Sequence, residues 1–200
     1  MGSIVTTESI GGLPEVIETD RLRLRPYSAA DAPWYYRMSL RNRNHLKRYE
    51  SGNIAMTLAS EEHTRSVLDD LAKAWEQGIC YFLGAFDKET DGFVAQIYIG
   101  PFRKEPIEYI VGYFADVEQE GNGFVSEAVG AAVEQIFADL NADCVRIHCD
   151  ETNVRSRRVA QRCGFRLDAV VQEERVNPEG GVTPCQTTIY LRLPEPDDSR

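Results

Sequence analysis

Residues 107–140 read IEYIVGYFADVEQEGNGFVSEAVGAAVEQIFADL, and the change of period inside this stretch decides the fold. From Ile107 to Ala115 the chain is apolar and aromatic, bounded by Pro106 and Asp116, the pattern of a buried strand. From Val125 to Leu140 the apolar residues recur at helical spacing and make one stripe. Between the two lies Glu120-Gly121-Asn122-Gly123. Glycines at such a joint let the backbone bend sharply and let a ligand approach the main chain. The first turn of the following helix has N–H groups without an internal partner, and its dipole favours an anion. The stretch therefore predicts a phosphate seat.

Working outward, Ala142 to Cys149 alternates as the next strand, a parallel neighbour of the first because a helix separates them. Asn153 caps a short helix from Val154 to Cys163, with Gly164 after its end. Phe165 to Val176 and Thr187 to Leu193 read as a final antiparallel pair around the turn Asn177-Pro-Glu-Gly-Gly181.

Upstream, Val16 to Tyr27 reads as one half-buried strand, and Ser28 opens a helix running to about Leu40. Ser60 caps a second helix that ends at Gly78. Ile79 to Phe86 and Phe93 to Gly100 form a hairpin. Arg41 to Asn53 is polar and without period: either a solvated connection or a substrate-facing loop carrying His45, Tyr49 and Glu50. The fold class is α/β: a mixed, mostly antiparallel sheet with a parallel central pair and helices on both faces. One domain over residues 16–193 is expected, between a loose arm (1–15) and an acidic tail (194–200).

Two hundred residues with 42% hydrophobic content can bury a full core. Net charge is −10 and the pI near 4.9, a field that repels nucleic acid and suits a basic partner. No apolar run is long enough to span a bilayer, no signal-peptide pattern opens the chain, and Met-Gly-Ser-Ile-Val-Thr fits only a loose myristoylation pattern. Five cysteines without CxxC spacing read as free thiols in a reducing cytoplasm, with no metal site. His148, on a strand, reads as a satisfied core or cleft histidine.

Several pieces, in order and at matching spacing, are similar to the GNAT acyltransferase superfamily, within it the ribosomal-protein N-terminal acetyltransferase (RimJ/RimL-like) branch. They are Thr19-Asp-Arg-Leu-Arg-Leu-Arg-Pro26, Asn42 to Glu50, Gly112-Tyr113, the glycine turn, Ser126-Glu-Ala128, Asn153 with Ser156, and Gly164-Phe165. The resemblance implies acetyl-CoA as donor, its pyrophosphate on main-chain amides of Glu120, Gly121, Asn122, Gly123, Phe124, Val125 and Ser126. It implies a pantetheine arm along Tyr113, Phe114 and Ala115, with Asn153 and Ser156 near the thiol. Arg155, Arg157, Arg158 and Arg162 crowd one helix, and Arg158 is the candidate contact for the 3′-phosphate. Glu120 stands where Gln or Arg is usual in that family, and Val125 where Gly or Ala is usual. A carboxylate there costs affinity unless it turns away, and the valine adds bulk beside an amide.

Attack of an amine on a thioester needs a proton acceptor, donors for the oxyanion and a hydrogen bond for the departing thiolate. Ser156 is the candidate for the thiolate, a strand amide near Phe114 for the oxyanion, and Glu174 or Glu108 for the base. The branch resemblance implies an N-terminal amine of a basic, ribosomal protein as acceptor. A polyamine or aminoglycoside amine suits the negative field equally, and a non-catalytic CoA-binding module is the rival reading. Monomer and homodimer stay open.

Overall fold

The computed structural model describes residues 12–176 and 182–195. The expected arm and tail, and the turn around Asn177, lie wholly or mostly outside these residues. The elements in order are β1 (Ile17–Glu18), β2 (Leu22–Pro26), α1 (Ala32–Leu46), α2 (Glu61–Glu76), β3 (Tyr81–Asp87), β4 (Phe93–Arg103), β5 (Glu108–Ala115), α3 (Phe124–Leu140), β6 (Cys144–Asp150), α4 (Val154–Arg162), β7 (Arg166–Val176) and β8 (Val182–Arg192). They form one eight-stranded sheet in the order β1-β2-β3-β4-β5-β6-β8-β7, and β5–β6 is its parallel pair. The α/β class and the parallel pair are as the sequence predicts.

Strand alternation sorts side chains onto two cores. Leu83, Ala85, Ile97 and Val111 pack with Ala128, Val129 and Ile136 of α3. Phe86, Phe93 and Phe114 pack with Tyr35 and Met38 of α1 and Leu68 of α2. Helices therefore cover both faces, and burial of these side chains is the main stabilising term.

Three expectations need correction. The stretch from Val16 to Tyr27 is not one strand. The Thr19 N–H donates to the Leu22 carbonyl at 2.9 Å and the Thr19 hydroxyl oxygen accepts from the Leu22 N–H at 2.8 Å, folding the chain into the β1–β2 hairpin. Helix α1 does not stop near Leu40 but runs to Leu46, so His45 is helical. Polar residues of its last turns bond inside the fold: buried Asn42 donates to the Met38 carbonyl at 3.0 Å and accepts from the Val117 N–H at 2.8 Å. Strand β8 begins at Val182 rather than Thr187, because it pairs with β7 along its full length.

The feature that positions the site is the short reach of the parallel pair. Only Glu108, Tyr109 and Ile110 pair with Cys144, Val145 and Arg146. Beyond Ile110, β5 keeps β4 as its partner, and beyond Arg146, β6 keeps β8. Between them the sheet opens, with one edge of each strand unpaired and free to bond an extended ligand.

Candidate active site

The turn after β5 leads into the N-terminus of α3. Gly121 and Gly123 have φ of +85° and +79°, the left-handed region that side-chain-bearing residues avoid. Gly123 is the N-cap residue, and no side chain caps the helix. Gly121, Asn122 and Gly123 are exposed. The N–H groups from Gly121 to Ser126 have no acceptor among the described residues; the first bond of the helix runs from the Glu127 N–H to the Gly123 carbonyl. Val125 does not obstruct them, because its side chain packs into the core beneath α3. A run of open amides at a helix N-terminus fits the diphosphate of acetyl-CoA.

The turn is held at both ends. In front, Arg41 of α1 pairs with the buried Asp116 carboxylate, which also caps the Glu118 N–H at 3.0 Å. Behind, Arg21 donates to the Asn122 carbonyl at 3.1 Å and to Glu127 at 2.7 Å. Glu120 is turned from the open amides into an ion pair with Arg155 of α4, with His45 Nε2 at 3.4 Å. The turn, α1 and α4 thus meet at one carboxylate. Arg158 is exposed on α4.

Where β5 and β6 separate lies a cavity of about 210 Å³, lined by Gly112 and Tyr113 from β5, His148, Cys149 and Asp150 from β6, and Asn153 and Ser156 from α4. Asn153 caps α4 by accepting from the Ser156 N–H at 3.2 Å. The Tyr113 hydroxyl donates to the Ser156 carbonyl at 2.9 Å and accepts from the Ser156 hydroxyl at 3.0 Å. Burial pushes the Tyr113 phenol far above its ordinary pKa, so it stays protonated. Burial also raises the Cys149 thiol, which contacts the Thr188 hydroxyl at 3.1 Å.

Tyr49, Glu50, Glu173 and Thr187 line the same cavity. The Tyr49 hydroxyl reaches the Thr152 carbonyl at 3.2 Å, so the segment after α1 crosses the opening to the β6–α4 connection. Glu173 accepts from the Thr187 hydroxyl at 2.7 Å. The pleat sends adjacent Glu174 to the opposite face of β7, away from this carboxylate. Glu108 sits at the closed end of the β5–β6 pair, 3% exposed, bonded to Arg146 at 2.8 Å and Arg103 at 3.3 Å. The Arg146 bond outweighs burial and holds its carboxyl below the usual range. The structure therefore brings Tyr49, Glu50, Tyr113, Asn153 and Ser156 to one cavity, and places Glu108 and Glu174 elsewhere.

Sequence reasoning missed Glu173, Thr187, Asp150, Arg21 and Glu127. Only the period-2 pattern of β7 and β8 signals the first two, and their facing needs the register of the pair. His148 is not the satisfied histidine expected. Its Nε2 is buried without a partner among the described residues, and burial lowers its pKa, keeping the ring neutral at pH 7. Among the described residues no cluster of three or more His, Cys, Asp or Glu is arranged for a metal ion, and no helix is long and apolar enough to cross a membrane.

Comparison with known proteins matches residues 21–166 to the model of the acetyltransferase (GNAT) domain. The probable N-acetyltransferase YjcK of Bacillus subtilis is 21% identical over 155 residues, 75% of this chain and 83% of that protein. The ribosomal-protein-serine acetyltransferase of Escherichia coli is 25% identical over 139 residues, 69% of this chain and 75% of that protein. Among solved structures, the ribosomal L7/L12 α-N-protein acetyltransferase RimL in complex with coenzyme A superposes with a TM-score of 0.80 at 19% identity, covering 92% of this chain and all of that one. The open amides, the parted strands and the matched domain agree, and the chain belongs to the GNAT acetyltransferase family, as an N-acetyltransferase that takes its acetyl group from acetyl-CoA.

Proposed function

We propose that this enzyme acetylates the N-terminal α-amine of a protein, a ribosomal protein by likeness to the Escherichia coli and RimL relatives. The observation that carries the reading is the cavity itself. It lies beside the unpaired edges of β5 and β6, and its lining carries Glu50, Asp150 and Glu173 with no Lys or Arg. An ammonium group is attracted there, and the acceptor must then lose its proton. An α-amine, with pKa about 7.7–8.0, yields that proton more readily than a lysine near 10.4.

Bound acetyl-CoA supplies the activated acyl group as a thioester. The amides from Gly121 to Ser126 hold its diphosphate, and the open edge from Val111 to Ala115 orients its pantetheine arm and leaves a donor near Phe114 for the oxyanion. Glu173, a carboxylate of the cavity lining, takes the amine's proton through water; Glu108 is committed to arginines and Glu174 lies on the other face. The Ser156 hydroxyl is the donor for the departing sulfur. Cys149 is not activated, because burial raises its thiol, which supports direct transfer to the amine. The free cysteines support a cytoplasmic site of action.

The test is thiol release from acetyl-CoA with matched peptides. Peptides with a free N-terminus are expected to react, and those blocked at the N-terminus with a free lysine are not. Equal rates with lysine-only peptides, or reaction only with polyamines, would contradict the proposal.

A further inference from the structure

Four hydrogen bonds and ion-pair contacts converge on a single carboxylate at the back of the glycine turn. Glu127 Oε1 accepts from the Thr19 hydroxyl at 2.6 Å and from the Arg21 N–H at 3.0 Å; Oε2 accepts from Arg21 Nε at 2.7 Å and faces Nη2 at 2.6 Å. The remaining guanidinium nitrogen, Nη1, donates to the Asn122 carbonyl at 3.1 Å. The guanidinium also lies over the Phe124 ring, 4.6 Å from its centroid. The β1–β2 hairpin, distant in sequence, is thereby joined to the turn and to the first turn of α3 at once. Burial alone would raise the Glu127 carboxyl, but the Thr19 and Arg21 bonds hold it below its ordinary range.

The geometry of one peptide unit gives this arrangement a consequence. In a trans peptide the C=O and the N–H of the next residue point in opposite directions. Arg21 draws the Asn122 carbonyl toward itself, so the Gly123 N–H points away from Arg21. That N–H is among the amides without an acceptor in the described residues. An exposed diglycine turn has a wide choice of conformations, and ordering it at the moment of binding costs affinity. We propose that Thr19, Arg21 and Glu127 are positioning residues for the cofactor: they fix the Asn122–Gly123 peptide so that its N–H is aimed at the diphosphate before acetyl-CoA arrives. The inference rests on acetyl-CoA being the donor, and adds which residues outside the turn set its affinity. Arg21 acts through the peptide, with no contact to the reacting atoms.

The test compares two donors. S-Acetylpantetheine carries the thioester and the arm but no diphosphate. The full chain is prepared as wild type, Glu127→Gln and Arg21→Ala, and CoA affinity is measured by calorimetry beside initial rates with each donor. The expected result is a rise of at least fivefold in the Kd for CoA and the KM for acetyl-CoA, with kcat/KM for S-acetylpantetheine within twofold of wild type. A loss shared equally by both donors would mean a general structural defect and overturns the proposal, as does an unchanged Kd. Thr19→Val removes the bond to Glu127 together with the hydroxyl's bond from the Leu22 N–H in the hairpin, and serves if the other variants do not fold; it is expected to raise the Kd about twofold to threefold with kcat/KM for S-acetylpantetheine unchanged, and an unchanged Kd overturns the proposal. Wild-type protein that takes up no CoA overturns the donor assignment and the clamp together, whereas wild-type uptake with unmoved variants overturns the clamp alone.

Discussion

The Tyr113 hydroxyl and Ser156 exchange two hydrogen bonds across the opening between β5 and α4, the phenol donating to the Ser156 carbonyl and the serine hydroxyl donating back. The serine proton is therefore engaged until the hydroxyl turns toward another acceptor. A thiolate is a charged acceptor and draws such a proton more strongly than a neutral phenol. Ser156→Ala is expected to lower kcat about 10²-fold, the scale for removing one transition-state donor, with little change in the KM for acetyl-CoA. Steady-state kinetics checks this, and an unchanged kcat would remove Ser156 from the reaction. Tyr113→Phe keeps the ring but loses both bonds, and is expected to cost about 1 kcal/mol, a melting shift of roughly 2–4 °C.

Two adjacent carboxylates on β7, Glu173 and Glu174, separate the proposed base from a bystander. Glu173→Gln is expected to reduce kcat roughly 10²-fold and to flatten the rise of rate with pH, whereas Glu174→Gln leaves both near wild type. Parallel pH–rate profiles of the variants test this. Equal loss in both would contradict the facing of the strand.

Much of this molecule can be read from its sequence because the strong periods coincide with strong structure. The apolar run through Ile107 and the helical stripe from Val125 are where the structure has β5 and α3. The last turns of α1 escaped because Ser39, Asn42 and Arg43 are polar yet internally bonded, so no apolar stripe marks them. Glu173 and Glu174 could not be told apart, because the register shift between Leu167 and Ala169 changes which residues of β7 share a face. The clamp on Glu127 joins residues 106 positions apart, and no local pattern reports such a contact.

Glu120 and Arg155 form an ion pair beside the glycine turn, with Arg155 73% exposed. Arg155→Ala leaves the carboxylate less compensated and is expected to weaken CoA binding about threefold to fivefold, the range of an exposed pair. In a Glu120→Gln background the same substitution is expected to change affinity less than twofold. A double-mutant cycle at low and high salt measures the coupling, which shrinks as salt rises.

Asp31 anchors the start of α1 through two bonds from Arg25, at 2.8 Å each, one from the Ser28 N–H and one from the Trp34 indole. Burial alone would raise its pKa, but these donors outweigh it and hold the carboxyl at about 2. A depressed folded pKa adds stability that is complete above the unfolded value near 3.8 and lost as pH falls through about 2. Asp31→Asn is expected to cost about 1–2 kcal/mol at neutral pH after screening, and to lessen the fall in stability between pH 4 and pH 2. Denaturant unfolding across that window checks both.

The central claim is that a diphosphate is held by peptide groups of the turn and not by side chains. The most direct measurement is the amide spectrum of labelled protein titrated with CoA and, separately, with pantetheine. The resonances of Gly121 through Ser126 are expected to move with CoA and to stay in place with pantetheine. Amide signals of the turn that ignore CoA while it binds would contradict the account.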